Sequence, residues 1–291
     1  MIGALDMPAS TSGAPSPAPD HIVDVLIKER APRLSASPAW LLLRPALYGL
    51  LGYRQARAMA DAVAGMGGRE ALDYVSGLLA LQVTARGLER LPRGGAAVVI
   101  VNHPTGLADG VAVYDALRPI RPDLMFFANA DALRVDPRLG EVFIPVEWVE
   151  SKRTRERTRL TLTLANAALD EGRAIVIFPA GRIARRTGGV LADPPWAASA
   201  LSLARRRKAP VLPVHLQGPS STLFQLFNGF SQELRDITLF HELLNKRGGD
   251  FSLTAGPLIP AEAIGEAAET TLRLKAYVER VLPAEPDRPF A

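Results

Sequence analysis

The chain has 291 residues, 48% hydrophobic and 22% charged, a globular balance that excludes wholesale disorder. It holds no Cys and only four His (His21, His103, His215 and His241), without the H-E-x-x-H spacing of a zinc hydrolase, so disulfide scaffolds, zinc fingers and thiol nucleophiles are excluded. The net charge is +4 and 29 of the 34 basic residues are Arg, whose planar fork of donors suits phosphate and carboxylate; nucleic acid, phosphorylated metabolites and anionic membranes all stay open as partners.

Residues 1–20 are rich in Pro, Ala and Ser and lack the basic start and apolar run of a secretory signal. They read as the beginning of a mostly disordered tail over 1–37, and a cytoplasmic location is expected. Helical patterns follow at 38–64 and 69–82, separated by Gly65-Met66-Gly67-Gly68. Ten of the 14 residues from Trp40 to Tyr53 are apolar, too few to span a bilayer, which needs about 20. That stretch reads in two ways. It is a helix buried on the domain, or it lies in a membrane interface, with Trp40, Tyr48 and Tyr53 near the headgroups and Arg44, Arg54 and Arg57 on lipid phosphates.

Residues 81–87 read as a strand and 88–95 as a turn-rich connector. Ala96–Val101 is a continuous apolar run, the mark of a strand buried on both faces. Further strands are expected at 124–128, 142–146, 174–178, 211–215 and 251–255. Helices are expected near 131–138, 151–171, 195–207 and 266–282. This alternation predicts an α/β fold: a largely parallel sheet flanked by helices, with an N-terminal two-helix appendage.

In such a sheet ligands gather beyond the carboxyl ends of the strands. After Val101 comes Asn102-His103-Pro104-Thr105-Gly106, and then Asp109. An imidazole takes a proton near neutral pH, and a carboxylate on its other nitrogen fixes the tautomer. The Pro-Thr-Gly turn lets Asp109 face His103. The competing reading makes Asp109 a cap of the next helix and His103 a solvated loop residue. After Phe178 comes Pro179-Ala180-Gly181-Arg182, with Arg185 and Arg186 close behind. Gly181 permits close backbone approach and the three Arg suit a phosphate, although an ordinary basic turn has the same composition. Lys152, Arg155 and Arg159 share one face of the 151–171 helix, and Arg153 and Arg157 another; such charges are a solvated face or a concentrator of anions. His215 reads as a hydrogen-bonded core or rim residue. His241, in the apolar helical pattern 239–244, reads as structural, and His21 receives no role. The chain lacks a P-loop, a complete dinucleotide fingerprint and a G-x-S-x-G elbow.

Taken in order, these motifs resemble the glycerolipid (lysophospholipid) acyltransferase superfamily, typified by 1-acylglycerol-3-phosphate acyltransferase. The similarity is greatest to a divergent bacterial branch with an N-H-P-x-G core, and it covers about residues 80–260. Asn102, His103 and Asp109 match the first motif, with five residues between His and Asp where four are usual. Gly140, Phe143 and Ile144 match the second, but Val146 stands where Arg is expected; Arg153 or Arg155 is a candidate replacement. Phe178, Pro179 and Gly181 match the third, with Ala180 in place of Glu. Val211-Leu212-Pro213-Val214 matches the fourth. The departures at Val146 and Ala180 put recognition of a glycerol 3-phosphate-type acceptor in doubt.

The resemblance implies an acyltransferase domain over 81–285, preceded by a membrane-docking helical segment over 38–80. It implies transfer from acyl-CoA or acyl-acyl carrier protein to a lysophospholipid or related lipid, by oxygen or nitrogen attack, with no further cofactor and no metal. His103 is the expected general base and Asp109 its orienter. Asn102, Thr105, Gly106, Pro179, Gly181, Arg182 and Arg185 are the expected substrate-binding set. The expected partners are the donor, the lipid acceptor and an anionic membrane surface, with the chain peripheral on the inner face of the cell membrane. Nucleic acid is not expected, because the basic run 151–159 lacks interleaved aromatics. The alternatives are a non-catalytic lipid-binding homologue and an acyl-thioester hydrolase.

Overall fold

The structure is a computed structural model and describes residues 20–147, 153–187 and 190–291. Most of the expected tail, residues 1–19, lies outside the described residues, as does Lys152.

Five helices open the chain: α1 (Ile22–Arg30), α2 (Pro32–Ala36), α3 (Trp40–Leu50), α4 (Tyr53–Val63) and α5 (Gly68–Leu79). The first two correct the expectation of a tail up to residue 37, since Ile22–Arg30 and Pro32–Ala36 are helical. Val23, Ile27 and Ala31 bury an apolar side against Trp40, Leu51, Ala56 and Ala60. His21, given no role from sequence, caps α1: its Nδ1 accepts from the Val23 N–H at 3.2 Å and its Nε2 meets Asp61 at 2.8 Å. The single helix expected over 38–64 is broken by Gly52, whose φ of +66° is left-handed backbone that glycine adopts without strain. Residues 68–79, expected within the helical segment 38–80, pack on the body of the domain. Helix α5 buries Leu72 and Leu79 in the main core, and Ser76 Oγ donates to Asp115 at 2.5 Å.

The body follows as β1 (Gln82–Arg86), β2 (Ala97–Val101), α6 (Leu107–Leu117), β3 (Met125–Asn129), α7 (Ala132–Val135), β4 (Phe143–Val146), α8 (Arg155–Asp170) and β5 (Ala174–Ile177). A hairpin comes next, β6 (Arg185–Thr187) and β7 (Val190–Ala192), then α9 (Ser199–Arg206) and β8 (Val211–Gln217). Three short helices, α10 (Thr222–Asn228), α11 (Gln232–Asp236) and α12 (Leu239–Leu244), precede β9 (Asp250–Ala255) and α13 (Ala267–Ala276), which ends in a π-helical turn, Tyr277–Val281. The hairpin and the first two of these short helices have no counterpart in the sequence reading. They lack a sustained apolar period, because each rests on a neighbour rather than on the main core.

Seven strands form one sheet in the order β1-β9-β8-β2-β5-β3-β4. Every pair is parallel except β8–β9. Strand β2 lies at the centre and all five of its residues are buried. Val98 and Ile100 face one apolar layer, with α8, α9 and α13; Val99 and Val101 face the other, with α5 and α6. Burial on both faces is why these strands appear as unbroken apolar runs. Among the described residues no helix is long and apolar enough to cross a membrane.

Candidate active site

Strand β2 pairs with β5 on one side and β8 on the other, so Asn102-His103 emerges next to the loop that follows β5. The His103 ring lies 4.6 Å from the Phe178 ring, and the His103 carbonyl accepts from the Ala184 N–H at 2.8 Å. Thus 102–109 and 178–185, distant in the chain, form one surface.

His103 Nδ1 lies 2.8 Å from Asp109 Oδ2. The Asp109 side chain is fully buried. It also accepts from the Thr105 N–H at 2.9 Å, the Gly106 N–H at 3.1 Å and the Thr105 hydroxyl. A carboxylate has only acceptor capacity, so it requires the proton on Nδ1, and Nε2 presents a lone pair. Asp109 has the geometry that each reading requires of it: it bonds the Gly106 N–H at the start of α6 and lies against His103 Nδ1. Gly106 has φ +110°, and a Cβ there would lie 2.9 Å from Ile183 Cδ1, so this turn admits only glycine. Gly181, at φ +62°, likewise turns the second loop and donates to the Phe178 carbonyl at 3.0 Å.

The structure redistributes the expected substrate-binding set. Asn102 is committed elsewhere: its Nδ2 donates to the Leu216 carbonyl at 2.8 Å and its Oδ1 accepts from the Leu216 N–H at 2.6 Å. It clamps β2 to β8 with both ends of its amide. Thr105, also buried, spends its hydroxyl on Asp109. Pro179 gives its carbonyl to the Ala197 N–H at 3.0 Å. Arg182 is exposed beside His103's loop. Arg185 is half-buried, and its Nε has no acceptor among the described residues. Burial, with help from the Arg235 and Arg182 charges, pulls the Arg185 guanidinium below its ordinary range. Of the residues proposed to replace the missing motif arginine, Arg153 bonds the Glu147 carbonyl weakly at 3.4 Å, one residue beyond Val146, and Arg155 is exposed.

Asn102→Ala removes both contacts to Leu216 and strands two buried backbone groups. It is expected to lower stability by roughly 2–6 kcal/mol in urea unfolding, since each such group costs about 1–3 kcal/mol. Substrate KM should stay near the wild-type value, and a KM effect without a stability loss would restore Asn102 to the binding set.

Residues 82–217, which hold both loops, match the protein-family model described as Acyltransferase. Over that range the chain carries an acyltransferase domain. It is 29% identical over 222 residues to the lyso-glycine lipid O-acyltransferase of Phocaeicola vulgatus, covering 74% of this chain and 77% of that one. With the lyso-glycine lipid O-acyltransferase of Bacteroides thetaiotaomicron the identity is 26%, over 74% and 79% of the two chains. A solved structure, the 1-acyl-sn-glycerophosphate acyltransferase of Thermotoga maritima, is 16% identical with a TM-score of 0.47, over 92% of this chain and 98% of that one.

In this acyltransferase, sequence reasoning missed three contributors to the site. Asp193, 90 positions from His103, accepts its backbone N–H with both carboxylate oxygens at 3.1 Å. Trp196 Nε1 donates to the same carboxylate at 2.8 Å. Arg235, on α11, adds its charge near Arg185 and pairs with Asp236 at 2.7 Å. Asp193 leaves no local signal, because its partner is a backbone N–H 90 positions away, and Trp196 and Arg235 reach the site only through Asp193 and Arg185. His215 is the hydrogen-bonded rim residue expected: its Nδ1 lies 3.0 Å from the Val278 carbonyl, and burial lowers its pKa. His241, half-buried on α12, is likewise lowered by burial.

Proposed function

We propose that this acyltransferase moves a fatty acyl group from a thioester donor, acyl-CoA or acyl-acyl carrier protein, to the hydroxyl of a lyso-lipid. The observation that carries the reading is the 2.8 Å contact between His103 and the buried Asp109 at the end of the central strand. His103 Nε2 takes the proton of the acceptor hydroxyl, and the oxygen attacks the thioester carbonyl. The C–S bond then breaks and the proton leaves on the donor's sulfur. No acyl-enzyme is needed, which agrees with a chain that lacks both Cys and a nucleophile elbow. The names of the two curated relatives favour oxygen over nitrogen attack and a lyso-glycine lipid as acceptor. Arg182, Arg185 and Arg235 supply the positive field for an anionic headgroup or a donor phosphate.

A lipid acceptor is reached from a bilayer surface, and α3 supplies a means. Leu41 and Leu42 are 73% and 84% exposed, and Leu43 and Leu50 are also exposed, on a helix that bears the exposed Arg44. The aromatics expected at the headgroups turn inward instead. Trp40 is buried, and the stacked Tyr48 and Tyr53 both donate to Asp24 on α1. The leucines therefore carry the docking, on the inner face of the cell membrane. Each leucine buried contributes roughly 1.5–3 kcal/mol. The pair Leu41→Asp and Leu42→Asp should lower flotation with anionic liposomes by at least about tenfold. Equal flotation of wild type and variant would remove the docking role.

The transfer reading is tested by incubating the full chain with palmitoyl-CoA or palmitoyl-acyl carrier protein, with and without lyso-glycine lipid. Thiol release together with a diacylated lipid by mass spectrometry supports it. Free fatty acid alone would make the chain a hydrolase, and no thiol release a binding protein.

A further inference from the structure

Two carboxylates flank His103, and the chemistry above uses only Asp109. The other, Asp193, follows β7 and is buried. His103 is the second residue beyond β2, where the strand ladder no longer supplies an acceptor for its N–H. Asp193 supplies one, at 3.1 Å from each oxygen, while Ala184 takes the His103 carbonyl. The Trp196 indole N–H holds the carboxylate at 2.8 Å, and the Asp193 N–H donates to Glu279 Oε1 at 2.9 Å. The segment between the hairpin and α9 is thereby tied to the main chain of the proposed base.

We propose that Asp193 is a positioning residue for His103: it anchors the His103 backbone and holds a second negative charge beside the imidazole while that ring carries the acceptor's proton. This rests on the general-base reading of His103. Asp193 neither gains nor loses a proton in the cycle; the proton passes from acceptor oxygen to Nε2 and on to the departing sulfur. Asp193 meets the His103 N–H from the β2 loop, the Trp196 indole from the connector and Glu279 from the final π-helical turn, and the His103 and Glu279 charges act on its carboxyl. Lys275 pairs with Glu279 at 2.5 Å. Burial pushes the Asp193 carboxyl up to about 6, against the pull of Trp196 and His103. Its charge is therefore lost in the same pH range in which a histidine base works.

The test is the pH–rate profile of thioester turnover by the full chain with palmitoyl-CoA and lyso-glycine lipid. Asp193→Asn keeps the shape and removes the charge. Its plateau kcat should fall about tenfold, the lower end of the worth of a hydrogen bond to a charged group. Its acid limb should move to lower pH, because the imidazolium has lost a stabilising charge and Asp193 no longer titrates. Trp196→Phe keeps the carboxylate and removes a donor that favours its ionised form, so its acid limb should move to higher pH. A plateau loss with both limbs in place would make Asp193 merely structural and overturn the proposal. The amide resonance of residue 103, followed in the His103→Ala background between about pH 5 and 7, needs no turnover. It should titrate when Asp193 is present and stay flat when Asp193 is Asn; a flat response in both overturns the coupling. If His103→Ala keeps wild-type turnover, the general-base reading fails and this inference fails with it. If His103→Ala is inactive and the Asp193→Asn limb is unmoved, only the inference about Asp193 fails.

Discussion

Purified His103→Ala is expected to transfer acyl groups roughly 10²- to 10⁴-fold more slowly than wild type, the usual worth of a positioned general base. The fold should survive this change for a local reason. Without the imidazole, Asp109 still accepts from the Thr105 N–H, the Thr105 hydroxyl and the Gly106 N–H, so the turn keeps its shape. The ring contact with Phe178 is the main packing lost. Circular dichroism and thermal unfolding should therefore match wild type while the rate collapses. Wild-type rates in a folded His103→Ala protein would rule out His103 as the base.

Asp109→Asn is expected to cost more than activity. In the serine-protease triad the equivalent loss of charge lowers kcat by about 10⁴, because the imidazole takes the wrong tautomer. The same logic applies to an Nδ1 held 2.8 Å from a buried carboxylate. An amide at position 109 also places an N–H group among four donors that now find an oxygen. That mismatch should lower stability by roughly 1–3 kcal/mol, measured by urea unfolding. The two readouts separate the two tasks of Asp109. A stability loss with the rate kept within about tenfold would leave it a helix cap and nothing more.

How much of the site was legible follows from where each residue finds its partner. His103 and Asp109 are six positions apart and meet through a single turn, so their spacing was informative by itself. Asn102 is adjacent in sequence to His103 and was grouped with it. Its partner is the Leu216 backbone, 114 positions away, and that turned a supposed ligand residue into a clamp. Asp193 was invisible for the same reason: it binds a backbone N–H, and a backbone N–H has no residue type to recognise. On the N-terminal helices, the apolar richness of 40–53 was plain, but its orientation depended on α1. Asp24 draws Tyr48 and Tyr53 inward and leaves the leucines outside.

By itself the sequence determined the α/β class, the central strand Ala97–Val101 and the two loops at the sheet's carboxyl edge. Continuous apolar runs and Gly-rich turns are local properties, and strands buried on both faces express them fully. Tertiary structure alone decided that β1 and β9 run against the other five strands, that residues 22–36 are helical, and that a second carboxylate stands behind His103. Those outcomes depend on contacts between segments far apart in the chain. Their stabilisation comes from a neighbour's backbone or apolar face, which the residues on one side do not encode.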